Sequence, residues 1–243
     1  MTVGSSSTSA TVAGQTDSLK PEHVKYADAL QTAAAAMEEI MALMAEPSFE
    51  MKTVGTWKAD VATDKVAIHY RDTKNGRLLA GRTKLPLSPA RMAYHLYVEM
   101  EKDNEWNDNI KQSRILHKLT DNVDIAHTIT NDILIVKSRE FLVARMLREV
   151  NGVFYLTGKS VTLPEVPETK SSVRGLAHVV GMCCRPVDSN SNLCIYDYVA
   201  CIDFKGMMLR SILNPVLGRL TLKDVENVAK HAEELSKSSP SFK

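Results

Sequence analysis

No apolar run in this 243-residue chain approaches the ~18 residues that nominate a transmembrane helix. The opening MTVGSSSTSATVAGQTD carries neither the basic stretch nor the apolar core of a secretory signal, so the expected address is the cytoplasm. No charge of either sign is in excess, with 30 Lys and Arg against 29 Asp and Glu. A dedicated nucleic-acid binder would show a basic surplus, so nucleic acid is not an expected partner. Cysteine is sparse: Cys183, Cys184, Cys194 and Cys201 form no C-x-x-C pair, which argues against zinc and thioredoxin-like chemistry and for buried free thiols. The seven histidines make neither H-x-x-x-H nor H-E-x-x-H, and there is no G-x-S-x-G elbow or Walker loop. No catalytic residue, metal site or cofactor is therefore expected.

Residues 1–20 are rich in Ser, Thr, Gly and Ala and hold few large apolar groups, so they read as a flexible tail ahead of one domain over 21–240. From Pro21 onward strong helix formers dominate, and Tyr26, Leu30, Ala33, Met37, Ile40 and Met44 recur at helical spacing. Short β-branched and aromatic runs follow, KTVGTWKAD and KVAIHYRD, with the Asn-Gly of KNGR expected to turn a hairpin into LLAGRTKL. SPARMAYHLYVEMEK predicts a helix with Ser88 as its cap and Pro89 in its first turn. In EWNDNI, Trp106 reads as a loop anchor with a buried indole.

RILHKLT, VDIAHTIT, EFLVARMLREV, GVFYLTGKSV, RGLAHVVGMCCRPV and LCIYDYVACIDF then succeed one another across mostly short links. That succession favours an antiparallel sheet over βαβ units. The chain ends in a long helical pattern with Pro215 and Gly218 as soft points in its first half. The fold class is α+β, a curved antiparallel sheet whose apolar face the last helix covers. Met207 and Met208, at the start of that helix, read as core or as an exposed membrane-touching tip.

One residue breaks the pattern. In EFLVARMLREV, strand alternation puts Phe141, Val143, Arg145 and Leu147 on one face. A buried guanidinium needs a partner, and Asp124 lies on the corresponding face of the preceding strand. Turned inward, Arg145 would be a polar anchor among apolar walls, suited to a ligand with one hydroxyl or keto group.

Several stretches, in order, resemble the START (steroidogenic-acute-regulatory-related lipid transfer) family, and within it the sterol- and carotenoid-binding branch. They are VGTWK with KVAIHYR, MEKDNEWNDNIKQSRIL, KSREFLVAR, YLTG, VRGLAHVVGMCCRPV and YDYVACIDFKGMMLRSILNPVLGR. The resemblance implies a helix-grip fold, in which the sheet wraps a hydrophobic tunnel closed by the C-terminal helix. It also implies a non-enzymatic carrier of one hydrophobic lipid, a sterol such as cholesterol or a carotenoid, with transient contact at membrane surfaces. A lipid-responsive regulatory module and an enzyme using the same cavity are the alternatives. By resemblance Arg145 projects into the tunnel. Leu156, Tyr198, Ala200, Ile202 and Phe204 line its wall, and Leu213, Val216, Leu217 and Leu220 form the inner side of the lid. Three departures bear on the ligand: Ala126 stands where steroidogenic members place the acidic partner, Met207 where a Trp is usual, and Pro215 interrupts the lid helix.

Overall fold

The structure is a computed structural model that describes residues 7–51, 55–132, 135–169, 172–187, 190–206 and 210–238. A hairpin of β1 (Ser9–Val12) and β2 (Gln15–Ser18) precedes helix α1 (Ala27–Met44) and the short α2 (Pro47–Met51). Strands β3 (Lys58–Ala62), β4 (Ala67–Thr73) and β5 (Gly76–Leu85) come next, then helices α3 (Pro89–Tyr97) and α4 (Asp103–Trp106). Strands β6 (Ile110–Lys118), β7 (Val123–Thr130), β8 (Arg139–Val150) and β9 (Val153–Ser160) follow. The two-residue β10 (Val173–Arg174), β11 (Leu176–Val187), β12 (Asn190–Asp203) and helix α5 (Arg210–Lys237) complete the chain.

Among the described residues one ten-stranded sheet runs β3-β4-β5-β12-β11-β9-β8-β7-β6, with β10 joined to β8. Every pairing along that path is antiparallel, as the short links require, and only β10 runs parallel to its partner. Register shifts in the β3–β4, β6–β7 and β11–β12 pairs mark bulges, which bend strands and increase their twist. The chain direction reverses between β8 and β9 at Asn151–Gly152, whose φ of 53° and 77° are those of a primed hairpin turn. In the β4–β5 hairpin, Lys74 and Asn75 make the turn and Gly76, expected within it, already pairs with Thr73.

The two faces of the sheet are covered differently. On the outer face α1 lays Leu30, Ala33 and Met37 against Ile125, Leu142, Ala144 and Met146. On the concave face α3 and α5 close over a separate apolar cluster that includes Tyr196, Tyr198, Leu217, Leu220, Val225 and Val228. This is the α+β helix-grip arrangement. Inside α5, Pro215 removes one backbone donor in the second turn, and Gly218 lies so close to Asp60 of β3 that a β-carbon there would clash with its carboxylate. All four cysteines are free and buried, Cys183 and Cys184 included, although they point to opposite faces of β11.

Two expectations differ from the structure. Residues 9–18, read as part of a flexible tail, are a hairpin packed on the outer face: Ala10 and Val12 join the α1 cluster, and buried Asp17 pairs with Arg148 of β8. Low apolar content hid the hairpin because a buried ion pair, rather than many large side chains, holds it down. The helix expected over 88–102 starts as predicted, with Ser88 Oγ accepting from Arg91 N–H at 3.3 Å, but stops at Tyr97. Its final carbonyls are taken by Arg145, described below.

Candidate functional site

Cross-strand register builds the polar end of the interior. Asp124 of β7 lies directly opposite Arg145 of β8, Ala126 opposite Val143 and Thr128 opposite Phe141. Because side chains at paired positions point to the same face, the guanidinium meets the carboxylate without spanning any gap. Arg145 Nε donates to Asp124 Oδ1 at 2.8 Å and Nη2 to Oδ2 at 2.6 Å, a bidentate contact with both residues buried. Nη2 also donates to the Tyr97 carbonyl at 3.0 Å and Nη1 to the Leu96 carbonyl at 3.4 Å. A cation at the last carbonyls of α3 satisfies groups the helix leaves unpaired and suits its dipole. The guanidinium also sits 4.7 Å from the centre of the Tyr97 ring. Arg145 is thus a staple that joins β7, β8 and the end of α3.

Beside it lies a cavity of about 240 Å³ between the concave face, α4 and α5. Arg145, Phe141, Val143 and Leu156 line it from β8 and β9; Tyr198, Ile202 and Phe204 line it from β12 and its end, and Leu220 from α5. Ala200 and Leu217 line a smaller adjoining hollow that shares Tyr198, Ile202, Phe204 and Leu220 with the first. Three residues expected at the wall stand behind it. Asp124 holds Arg145 from outside the lining, while Leu213 and Val216 are half-buried and pack against the cavity-side cluster. Met207 and Met208 lie outside the described residues.

Strand alternation did not reveal the helical rim. Leu96, Met100, Asp103, Trp106 and Asn107 line the cavity from the α3–α4 segment, and Asp224 and Val228 from α5. Their facing depends on how two helices dock, which no local period encodes. Asn109, at the approach to β6, also lines the cavity. Its Nδ2 donates to Asp224 Oδ1 at 2.5 Å, and Asn227 Nδ2 donates to Asn107 Oδ1 at 2.9 Å. Trp106 is half-buried at the end of α4 instead of anchoring a loop. Its ring stacks on His231 of α5 with centroids 4.5 Å apart and planes 6° from parallel. These contacts tie the second half of α5 to the rim. Arg91 completes them by donating to the carbonyl of Leu235 at 2.6 Å, near the end of the helix.

Burial dominates the titration of this seam. It pushes the Asp103 carboxyl up to about 8 against the pull of Arg145, and Asp224 up to about 6 against hydrogen bonds from Asn109 and Asn107. It holds His231 down at about 4, helped by neighbouring His95. At neutral pH the rim therefore presents one protonated carboxyl, Asp103, to the cavity, while the imidazole stacked behind Trp106 is neutral.

Arg139, in the SREF stretch, anchors the segment leading into α5. Its Nε donates to the Phe204 carbonyl at 2.5 Å, and its Nη1 to the Lys137 carbonyl at 2.8 Å. The next two residues, Lys205 and Gly206, both have positive φ. Among the described residues no group of His, Cys, Asp and Glu is arranged to hold a metal ion, and no helix is long and apolar enough to cross a membrane.

Steroidogenic acute regulatory-like protein 1 of Caenorhabditis elegans is 31% identical over 221 residues, which cover 90% of this chain and 85% of that protein. The Xenopus laevis steroidogenic acute regulatory protein is 31% identical over 142 residues, 58% of this chain and 48% of the relative, so the match spans about half of its length. The solved structure of human StAR-related lipid transfer protein 5 superposes with a TM-score of 0.77 at 17% identity, over 87% of this chain and all of that one. The START domain profile matches residues 26–238, and the chain belongs to the START domain family.

Proposed function

We propose that the protein binds one isoprenoid-type lipid, a sterol in preference to a carotenoid, in the cavity beneath α5 and carries it between membrane surfaces. The observation that carries this reading is the hollow itself: apolar walls from β8, β9, β11 and β12, a few polar groups at the rim, and a cover of α5 with the α3–α4 segment. The names of the relatives support lipid transfer, and the steroidogenic ones among them favour a sterol. A volume of about 240 Å³ falls below the ~300–1,000 Å³ usual for small-molecule sites, which favours a compact ring system over a long polyene. It also means that α5 or the α4 rim moves outward when a lipid is seated. At ~25 cal/mol per Å², burying a few hundred Å² of apolar ligand contributes on the order of several kcal/mol before the costs of association.

Transfer of a fluorescent sterol between donor and acceptor vesicles tests the reading. The purified chain should accelerate transfer in proportion to its concentration and take up about one sterol per chain. Acceleration of phospholipid transfer alone, or turnover of a sterol ester, would contradict it.

A further inference from the structure

We propose that Asp103 and Asn109, rather than Arg145, make the polar contact to the ligand, and that the group they receive is the hydroxyl of an uncharged lipid. The inference rests on the carrier reading above and deepens it. Arg145 is largely spent: Nε and Nη2 are on Asp124, Nη2 reaches Tyr97, and Nη1 reaches Leu96. Asp103 and Asn109 are not. Asp103 Oδ1 and Asn109 Oδ1 are buried without a hydrogen-bond partner, and both residues line the cavity. Asn109 is 3% exposed, and a buried polar atom left unmade is costly, so a complement is required.

The chemistry of that complement follows from what each group still offers. Asn109 has committed its amide nitrogen to Asp224 Oδ1, and its backbone N–H donates to Asn107 Oδ1 at 3.0 Å. The buried atom of its side chain left without a partner is the acceptor oxygen Oδ1. Asp103 sits where burial keeps its carboxyl protonated near neutrality, so it can donate. One free acceptor and one acidic O–H lining the same cavity match a hydroxyl, which donates one hydrogen bond and accepts another. A pure hydrocarbon satisfies neither group, and a ligand bearing only a keto oxygen leaves Asn109 Oδ1 unmet. Arg145 then acts on the ligand indirectly, by fixing the end of α3 from which the Asp103 segment departs.

The test compares cholesterol with its hydroxyl-free analogue cholestene on the full chain, using wild type, Asp103→Leu and Asp103→Asn, with thermal melting to confirm folding. Wild type should prefer cholesterol by about fivefold or more, as one or two net hydrogen bonds imply. Asp103→Leu should erase that preference by weakening cholesterol alone, and Asp103→Asn, which still donates, should keep most of it. Undiminished preference in Asp103→Leu, or an equal loss for both lipids, would overturn the assignment. Equal wild-type affinity for the two lipids would overturn it too, yet leave the carrier reading standing. Uptake of neither lipid by wild type would remove the sterol reading itself and this inference with it.

Discussion

Arg145 and Asp124 are buried together, and each is the reason the other is tolerated. Removing one partner leaves an uncompensated charge in a poorly solvated place, at a cost of about 3–5 kcal/mol, whereas replacing both with apolar side chains costs far less. Asp124→Ala should therefore lower the urea midpoint sharply, while Arg145→Leu with Asp124→Leu should recover most of it. Equal losses in the single and double variants would show that the pair is not coupled. This pair was legible in the sequence because strand periodicity assigns both residues a face before any coordinates exist. Asp103 was not legible, since it sits in a four-residue helix whose orientation only docking decides. Its titration gives a second expectation. An ordinary aspartate releases its proton near 3.8, while folded Asp103 keeps it to about 8. Between those values the folded chain holds a proton that the unfolded chain has lost, so stability falls as pH rises. Asparagine does not titrate, so Asp103→Asn should gain melting temperature over wild type, more at about pH 8.5 than at about pH 5, with each kcal/mol worth about 2–4 °C. An equal difference at both pH values would contradict the burial of that carboxyl.

The β1–β2 hairpin and α5 hold opposite faces of the sheet by different means. α5 relies on a broad apolar side, supplemented by the Asp224–Asn109 bond and the His231–Trp106 stack. Helical spacing of Val216, Leu217, Leu220, Val225 and Val228 made that element readable. The hairpin relies on Asp17, which accepts from Thr120 Oγ1 at 2.6 Å and pairs with the buried Arg148. Composition rules count apolar content, so they assigned this segment to disorder. A single long-range ion pair lies outside what such rules sense. Asp17→Ala should strand Arg148 and destabilise the chain by about 3–5 kcal/mol in urea unfolding. An effect below ~1 kcal/mol, typical of an exposed pair, would return residues 9–18 to the status of a dispensable tail.

Taken whole, the molecule is a bent sheet with one solid side and one hollow side. The order of elements and their antiparallel pairing follow from strand-length runs joined by short polar links, and so were readable from the chain alone. The hollow was not. An apolar strand face looks the same whether it meets packed side chains or an empty cavity, and only the resemblance to START proteins implied a tunnel. The cavity is accordingly the point on which function turns. Native mass spectrometry of the protein purified from cells, with extraction and identification of whatever it carries, tests it most directly. One hydroxylated sterol per chain, retained through purification and released when α5 is unfolded, is the predicted result. A two-chain phospholipid in its place, or a chain that stays empty when loaded with sterol, would contradict it.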